Sequence, residues 1–332
     1  TTPIKHIDDP DGEIALCILS AINLGLIKDK EDLEDLCDLS VRALEEVIDY
    51  QEYPVEAAKK STLSRRSLGI GYIGLAHFLA KNKVKYDDKE AWKLVDEITE
   101  AFQYYLLKAS NKLAQERGAC EYFDKTKYSD GILPIDSYKK DVDSLVNRKL
   151  SYDWNALRKD IKESGLRHST LSAQMPSESS SVVSNATNGV EPPRDFLSIK
   201  KSKKGTLKQI VPDYNRLKNF YTLLWDMKSN EGYINGISVM QKYFDQAISG
   251  NWSYNPENYK DGEVPTSVMA NDLLTTYKLG WKTSYYQNTY DAKSDVDEPT
   301  HSVGWHDDVK ESQTKGVTIN EEDEESCEAC AI

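Results

Sequence analysis

Between Met175 and Arg194 the chain reads Met175-Pro-Ser-Glu-Ser-Ser-Ser181, then Asn185-Ala-Thr-Asn-Gly-Val-Glu-Pro-Pro-Arg194, and apolar core segments are not built from such a run. It forces a turn and a helix start. Pro176 is suited to open a helix, because its missing N–H would have been unpaired in the first turn anyway. Ser177, Ser179 and Ser180 bring hydroxyls to the place where backbone N–H groups point outward. The positive end of the helix dipole and those N–H groups together suit an anion such as a phosphate, with no lysine required. A serine-rich capped helix start with no ligand accounts for the same residues, so composition leaves both readings open.

A chain of 332 residues holds two ordinary domains or one large α/β unit, so the size of the core is not limiting. No apolar run approaches the roughly 20 residues that span a bilayer, and residues 1–10 lack the apolar stretch of a secretory signal. The expectation is a cytoplasmic protein with no membrane partner. A net charge of −13 argues against a general nucleic-acid surface, since phosphate backbones select clustered positive charge. The one dense basic patch, Lys200, Lys201, Lys203 and Lys204, reads as a solvated turn between strands. Five cysteines without a secretion signal do not make a disulfide framework. The five histidines stand at no ligand spacing with one another or with a cysteine, so metal chemistry is not expected.

Apolar periodicity predicts helices over Glu31 to Tyr50 and about Ala91 to Glu116, the second stopped by Gly118. Further helices are predicted after Pro54, after Gly74, and over Trp154 to Ser164, Asn215 to Met227, Gly236 to Ile248 and Thr266 to Leu279. Strands are predicted at Ser169 to Ala173, Phe196 to Ile199, Leu207 to Ile210 and Lys282 to Tyr286. The alternation favours an α/β architecture. Gly69-Ile-Gly-Tyr-Ile-Gly74 fits a dinucleotide glycine pattern, but Lys59 to Arg66 before it is polar where a Rossmann turn needs a buried strand. Residues 291–332 are polar and acidic, with Glu321-Glu-Asp-Glu-Glu325 repelling itself, and are expected to form a mobile tail after a folded region of 1–290.

Three sets of residues are candidates for chemistry. Cys17 lies in the apolar run Ile14 to Leu19, where a buried inert thiol is the ordinary outcome. Cys37, on a helix face, reads as a small core residue, and Cys120 has no evident role beyond packing. Cys327-Glu-Ala-Cys330 is either half of a zinc site or a redox dithiol; with no second pair in the chain, exchange with a disulfide is the better fit. Glu325 and Glu328 raise the pKa of those thiols until the pair docks in a more positive pocket. Tyr285 and Tyr286 are adjacent aromatics in a chain of 20 tyrosines, which packing alone explains.

The run from Met175 to Arg194 closely resembles the substrate-diphosphate loop in the large (alpha) subunit of class I ribonucleotide reductases. The resemblance continues through the run ending at Cys17, Arg65 to Gly71, Gly131 to Asp136, Val211 to Tyr214 and Tyr285-Tyr-Gln-Asn-Thr289, so it covers nearly the whole chain. It implies the second half of a ten-stranded α/β barrel, with a flexible acidic C-terminal tail. It implies diphosphate contacts at Ser177, Glu178, Ser179 and Ser180, mostly through backbone N–H with the Ser180 hydroxyl added. Cys17 becomes one of two active-site redox thiols, Tyr285 and Tyr286 a radical relay, and Cys327 and Cys330 a shuttle that re-reduces the site. The family's bacterial pattern puts four residues between the tail cysteines where two stand here, which puts the efficiency of shuttling in doubt.

The family's radical-forming cysteine belongs to an Asn-x-Cys-x-Glu motif upstream of the residue matching Cys17, and no segment here carries that motif. The resemblance therefore implies the C-terminal portion of a catalytic subunit, active with a separate N-terminal half. It implies further partners: a metal-containing beta subunit that supplies the radical, thioredoxin or glutaredoxin, and a ribonucleoside diphosphate as substrate. No cofactor is expected on this chain, and allosteric nucleotides are expected on the N-terminal part. Two other classes stay in view, a non-catalytic remnant that binds nucleotide or partner subunits, and a stand-alone dithiol oxidoreductase using Cys327 and Cys330.

Overall fold

The computed structural model describes residues 2–6, 9, 11–202 and 205–291. In chain order the elements are β1 (Ile18–Asn23), α1 (Asp32–Tyr50), α2 (Glu56–Arg65), β2 (Leu68–Ile73), α3 (Leu75–Lys81) and α4 (Lys89–Arg117). There follow α5 (Pro134–Ser137), α6 (Trp154–Ser164), α7 (Glu178–Val183), β3 (Leu197–Ser202), β4 (Gly205–Ile210) and α8 (Tyr214–Leu217). The last are α9 (Glu231–Gln241), β5 (Gly250–Tyr254), α10 (Thr266–Leu279) and β6 (Ser284–Thr289). Residues 1–197 and 209–290 make one unit and residues 198–208 with 291–332 a second, of which the paired segments of β3 and β4 are described. Among the described residues no helix is long and apolar enough to cross a membrane.

The two long helices form where the periodicity places them. Leu33, Cys37, Val41, Leu44 and Ile48 of α1 recur at three- and four-residue steps and are all buried. They pack on α4, where Val95, Ile98, Phe102, Leu106 and Leu113 repeat the pattern until Gly118, at φ 86°, ends the helix. Arg42 to Glu116 at 2.7 Å and Lys108 to Glu34 at 2.6 Å run along the open side of the contact. Tyr72 of β2 stands at the centre of the core, edge-on to Phe102 and Phe244 at 5.3 and 5.8 Å, with its hydroxyl 2.9 Å from Thr99 Oγ1.

Apart from β3 and β4, the strands run parallel in a fixed order. β1 pairs with β2 over six residues from Ile18 opposite Leu68 to Asn23 opposite Ile73. On the other side of β2, Ile70 bridges Ser172 in the segment predicted as a strand, and Gln174 in turn bridges Ile248 just before β5. β5 then pairs with β6. Each neighbour comes from a distant part of the chain, with helices in the connections, as parallel pairing requires.

Two helix expectations are corrected, and the glycine run takes its place in the sheet. Leu68–Ile73 is a fully buried strand, and only Gly74, at φ 79°, turns the chain into α3. The polar stretch before it is α2, which buries Ser61, Thr62 and Ser64. The helix expected over Asn215 to Met227 reduces to the single turn of α8 and a short 3-10 turn, Leu224–Asp226. There Tyr221 leaves the helical path to stack on His77 and to donate its hydroxyl to the Pro212 carbonyl at 2.8 Å. The helix expected to reach Ile248 ends at Gln241 because Asp245 and Gln246 hydrogen-bond instead to the Leu171–Ser172 segment.

Candidate active site

Cys17 lies one residue before β1 with its side chain exposed, whereas Cys37 and Cys120 are buried. The thiol lies against the glycines of β2. A Cβ at position 69 would stand 2.5 Å from Cys17 Sγ, and one at position 71 would stand 2.5 Å from the Ala173 carbonyl oxygen. Only glycine allows three parallel segments to approach this closely beside a thiol. Met175 Sδ comes within 3.3 Å of the same point at Gly71, so the serine loop starts beside β2, the strand against which the thiol lies.

Gln246 closes the other side. Its Nε2 lies 3.7 Å from Cys17 Sγ and donates to the Leu68 carbonyl at 3.1 Å, while its backbone N–H donates to Ser172 O at 3.2 Å. The protein packed around the open thiol pushes its pKa up, and the Gln246 amide pulls it back in part, so near neutrality Cys17 is a thiol. Next to it, Asp245 Oδ2 accepts from Leu171 and Ser172 N–H at 2.8 and 3.1 Å, and Tyr128 donates its hydroxyl to Oδ1. Burial raises the Asp245 pKa against these bonds.

The loop is shaped from within. Gln174, 1% exposed, substitutes for a neighbouring strand: its Oε1 accepts Tyr72 N–H at 3.1 Å and its Nε2 donates to Tyr72 O at 2.9 Å. Ser177 caps α7 from a non-helical conformation. Its N–H goes to Asn188 Oδ1 at 3.1 Å and its hydroxyl turns back to Met175 O at 3.1 Å, so the side chain does not cap the helix as the sequence predicts. Glu178, Ser179 and Ser180 are exposed in the first turn, where N–H groups have no acceptor within the helix. The Ser180 hydroxyl leans on Ser177 O at 3.3 Å.

Tyr285 and Tyr286 lie in β6, 49% and 43% exposed, with ring centroids 4.1 Å apart, planes at 57° and hydroxyl oxygens at 3.4 Å. The Tyr286 hydroxyl next to it raises the pKa of Tyr285. Arg194, at the end of the loop motif, donates to Asn288 Oδ1 of the same strand at 3.4 Å. Cys327, Cys330 and the acidic run fall outside the described residues. Among the described residues no group of three or more His, Cys, Asp or Glu side chains is placed to hold a metal ion.

A family model described as "Ribonucleotide reductase, barrel domain" matches residues 4–219 and 213–287. The chain belongs to the ribonucleotide reductase family. It is 60% identical over 298 residues to the ribonucleoside-diphosphate reductase subunit alpha of Haemophilus influenzae, covering 90% of this chain and 39% of that protein. Against the ribonucleoside-diphosphate reductase 1 subunit alpha of Escherichia coli it is 55% identical over 249 residues, 75% of this chain and 33% of the relative. With the alpha subunit of Enterobacteria phage T4 it shares 43% over 299 residues, 89% and 39% of the two chains. The chain thus spans about two fifths of the length of these reductase relatives.

Sequence reasoning missed the residues that hold the reductase motifs in place: Gln246 against the thiol, Gln174 against β2, and Asn188 under Ser177. Asn188 lies inside the quoted motif, so its position is visible although its bond is not. Gln246 follows a helix in an unremarkable polar stretch and has no local signal.

Proposed function

We propose that this chain is the substrate-reducing portion of a ribonucleoside-diphosphate reductase, working in the cytoplasm with a separate N-terminal half. The observation that carries the reading is the open Cys17 thiol set against Gly69, with the serine loop starting from the neighbouring segment. The five parallel segments β1, β2, 170–174, 248–254 and β6 support one half of a ten-stranded barrel.

In this reading the first-turn N–H groups of Ser179 and Ser180, with that of Glu178, hold the substrate diphosphate, and the Ser180 hydroxyl exchanges its long bond to Ser177 O for a phosphate oxygen. The Glu178 carboxylate points away from the anion. A thiyl radical on the N-terminal half removes the 3′ hydrogen and later returns it. The 2′ hydroxyl leaves as water, and Cys17 with a second thiol from that half supplies two electrons and two protons, ending as a disulfide. Staying protonated suits Cys17 to this role.

Cys327 and Cys330 exchange with that disulfide and are themselves reduced by thioredoxin or glutaredoxin. Tyr285 and Tyr286 pass the radical from the metal-containing beta subunit. One phenoxyl takes a hydrogen atom from the other phenol, a transfer the 3.4 Å between hydroxyls allows. Effector nucleotides act on the N-terminal half.

The test is CDP reduction with a radical-bearing beta subunit and a dithiol, comparing this chain alone with this chain plus the N-terminal half. Activity is expected only in the mixture. Inactivity despite verified assembly overturns the reading and leaves a non-catalytic remnant.

A further inference from the structure

Two consecutive side chains of a regular strand point to opposite faces. Tyr285 and Tyr286 do not: their rings touch. The pairing of β5 with β6 explains how. Gly250 lies opposite Ser284, but Trp252 lies opposite Gln287, so two steps on β5 match three on β6. The extra residue falls at the tyrosine pair, and both tyrosines face the single residue Asn251. Bulges are uncommon in parallel pairs, and each leaves a backbone group without its ladder partner. Here the stranded N–H is that of Tyr286, and it donates to the Asn251 side-chain oxygen at 3.0 Å.

Asn251 is in turn held from the loop side. Its N–H groups face the Glu191 carboxyl, within the Asn185 to Arg194 motif, and pull the pKa of that carboxyl down. An amide whose nitrogen is turned toward a carboxylate leaves its oxygen for the bulge.

We propose that Asn251 is the positioning residue that holds the bulge in β6, keeping Tyr285 and Tyr286 on one face, and that Glu191 orients Asn251 and ties the pair to the substrate loop. The inference rests on the reading above in giving the pair a relay role; the bulge and the Tyr286 to Asn251 bond stand without it. A strand that lost the pin would relax toward even pairing, and the two rings would part to opposite faces.

Several charged and titratable groups face the Glu191 carboxyl. Arg194 and Glu178 come from the loop and α7, Tyr86 from the segment before α4, and Tyr233 from α9. Although part of Glu191 reaches solvent, the protein crowded around its carboxyl raises its pKa to about 7, against the pull of Arg194 and Asn251. The relation of donor and acceptor is therefore sensitive to protons, and it supplies a specific control.

Asn251→Ala is compared with the parent chain in the assembled reductase. CDP turnover is expected to fall about tenfold or more with KM changed less than about twofold, as for loss of a step that does not involve substrate binding. Asn251→Asp keeps the acceptor for Tyr286 but sets two carboxylates together, so its turnover is expected to recover as pH falls toward 6 and a proton is shared. The double variant Glu191→Gln with Asn251→Asp reverses the donor and the acceptor and is expected to restore turnover at neutral pH. A change in KM alone, or a double variant no better than Asn251→Asp, would overturn the assignment.

Hydrogen exchange of the Tyr286 amide, read by residue-resolved mass spectrometry on the chain itself, tests the pin without any turnover. Protection at Tyr286 is expected in the parent and lost in Asn251→Ala, while Asn288 and Thr289 keep theirs. If Tyr286 exchanges equally in both, the pin does not exist, whatever the assay shows. Loss of Tyr286 protection with unchanged turnover would instead leave the pin standing and remove the relay role of the pair.

Discussion

The Cys17 thiol is set by two side chains with opposite effects. Surrounding protein raises its pKa and the Gln246 amide lowers it, so alkylation of Cys17 should begin only at a pH above that of an ordinary thiol. Replacing Gln246 by Leu removes the lowering contact and is expected to move the alkylation profile further up. Mass mapping across a pH series checks this, and an unmoved profile would mean that the 3.7 Å approach is not a bond. Cys37 and Cys120 should resist the reagent, being buried with raised pKa values. Gly69→Ala forces a methyl into the place of Cys17 Sγ, an overpacking expected to cost about 1–3 kcal/mol in thermal unfolding.

At the scale of elements, the strand order is held by charges buried under it. Glu45 of α1, fully buried, accepts from Arg66 at 2.8 Å, Arg167 at 2.6 Å and His168 at 3.0 Å. These partners sit at the N-terminal ends of two adjoining parallel segments, Arg66 before β2 and Arg167 and His168 before 170–174. Burial alone would raise its pKa, but the bonds from His168, Arg66 and Arg167 bring it down to about 2. A carboxyl lowered in the fold contributes stability that is present above its unfolded pKa and lost as pH falls, here between about 4.5 and 2. Glu45→Ala removes the one carboxylate shared by Arg66, Arg167 and the fully buried His168, leaving Arg66 only Asp49 as a charged partner and Arg167 only backbone carbonyls. It is expected to cost about 3–5 kcal/mol in urea unfolding at pH 7. A loss of less than about 1 kcal/mol would show that solvent reaches the cluster.

The same scale divides what was legible from what was not. α1, α4 and α6 were readable because a helix that buries one face repeats its apolar residues at a fixed step, whereas Leu273, Leu274 and Tyr277 of α10 are exposed. β2 was unreadable because a strand buried on both faces has no apolar–polar alternation, and Gly69, Gly71 and Gly74 gave it the look of a glycine loop. The helix expected after Asn215 failed for a different reason: Tyr221 has a better partner in His77, and no local pattern announces a contact so distant in sequence. At the site, the thiol, the serines and the tyrosines stood out as a motif, while Gln246, Asn251 and Glu191 act through bonds between segments and become visible only when those segments meet.

For the molecule as a whole, the outer edge of β1 is paired with nothing among the described residues, and Leu16, Leu19 and Leu26 on and beside it are exposed. An open edge lined with leucines is an invitation to association. The isolated chain is expected to bind a hydrophobic dye and to lose that signal on mixing with the N-terminal half. Leu19→Glu is expected to block the complex, as read by size-exclusion chromatography, while leaving the Tyr286 amide protected. Dye binding that persists in a verified complex would place that half on another face.

The order of the strands also sets an order in time. The thiol strand is synthesised first and the tyrosine strand last, with β2, the serine segment and β5 joining between them in the sequence of their making. A nascent chain can therefore bring together Cys17, β2 and the serine loop while Ser284–Thr289 is still inside the ribosome. In the proposed reading, a polypeptide released before that point would hold Cys17 and the serine loop but neither Tyr285 and Tyr286 nor Cys327 and Cys330. The last of the described strands to arrive would then bring the conduit for the oxidising equivalent.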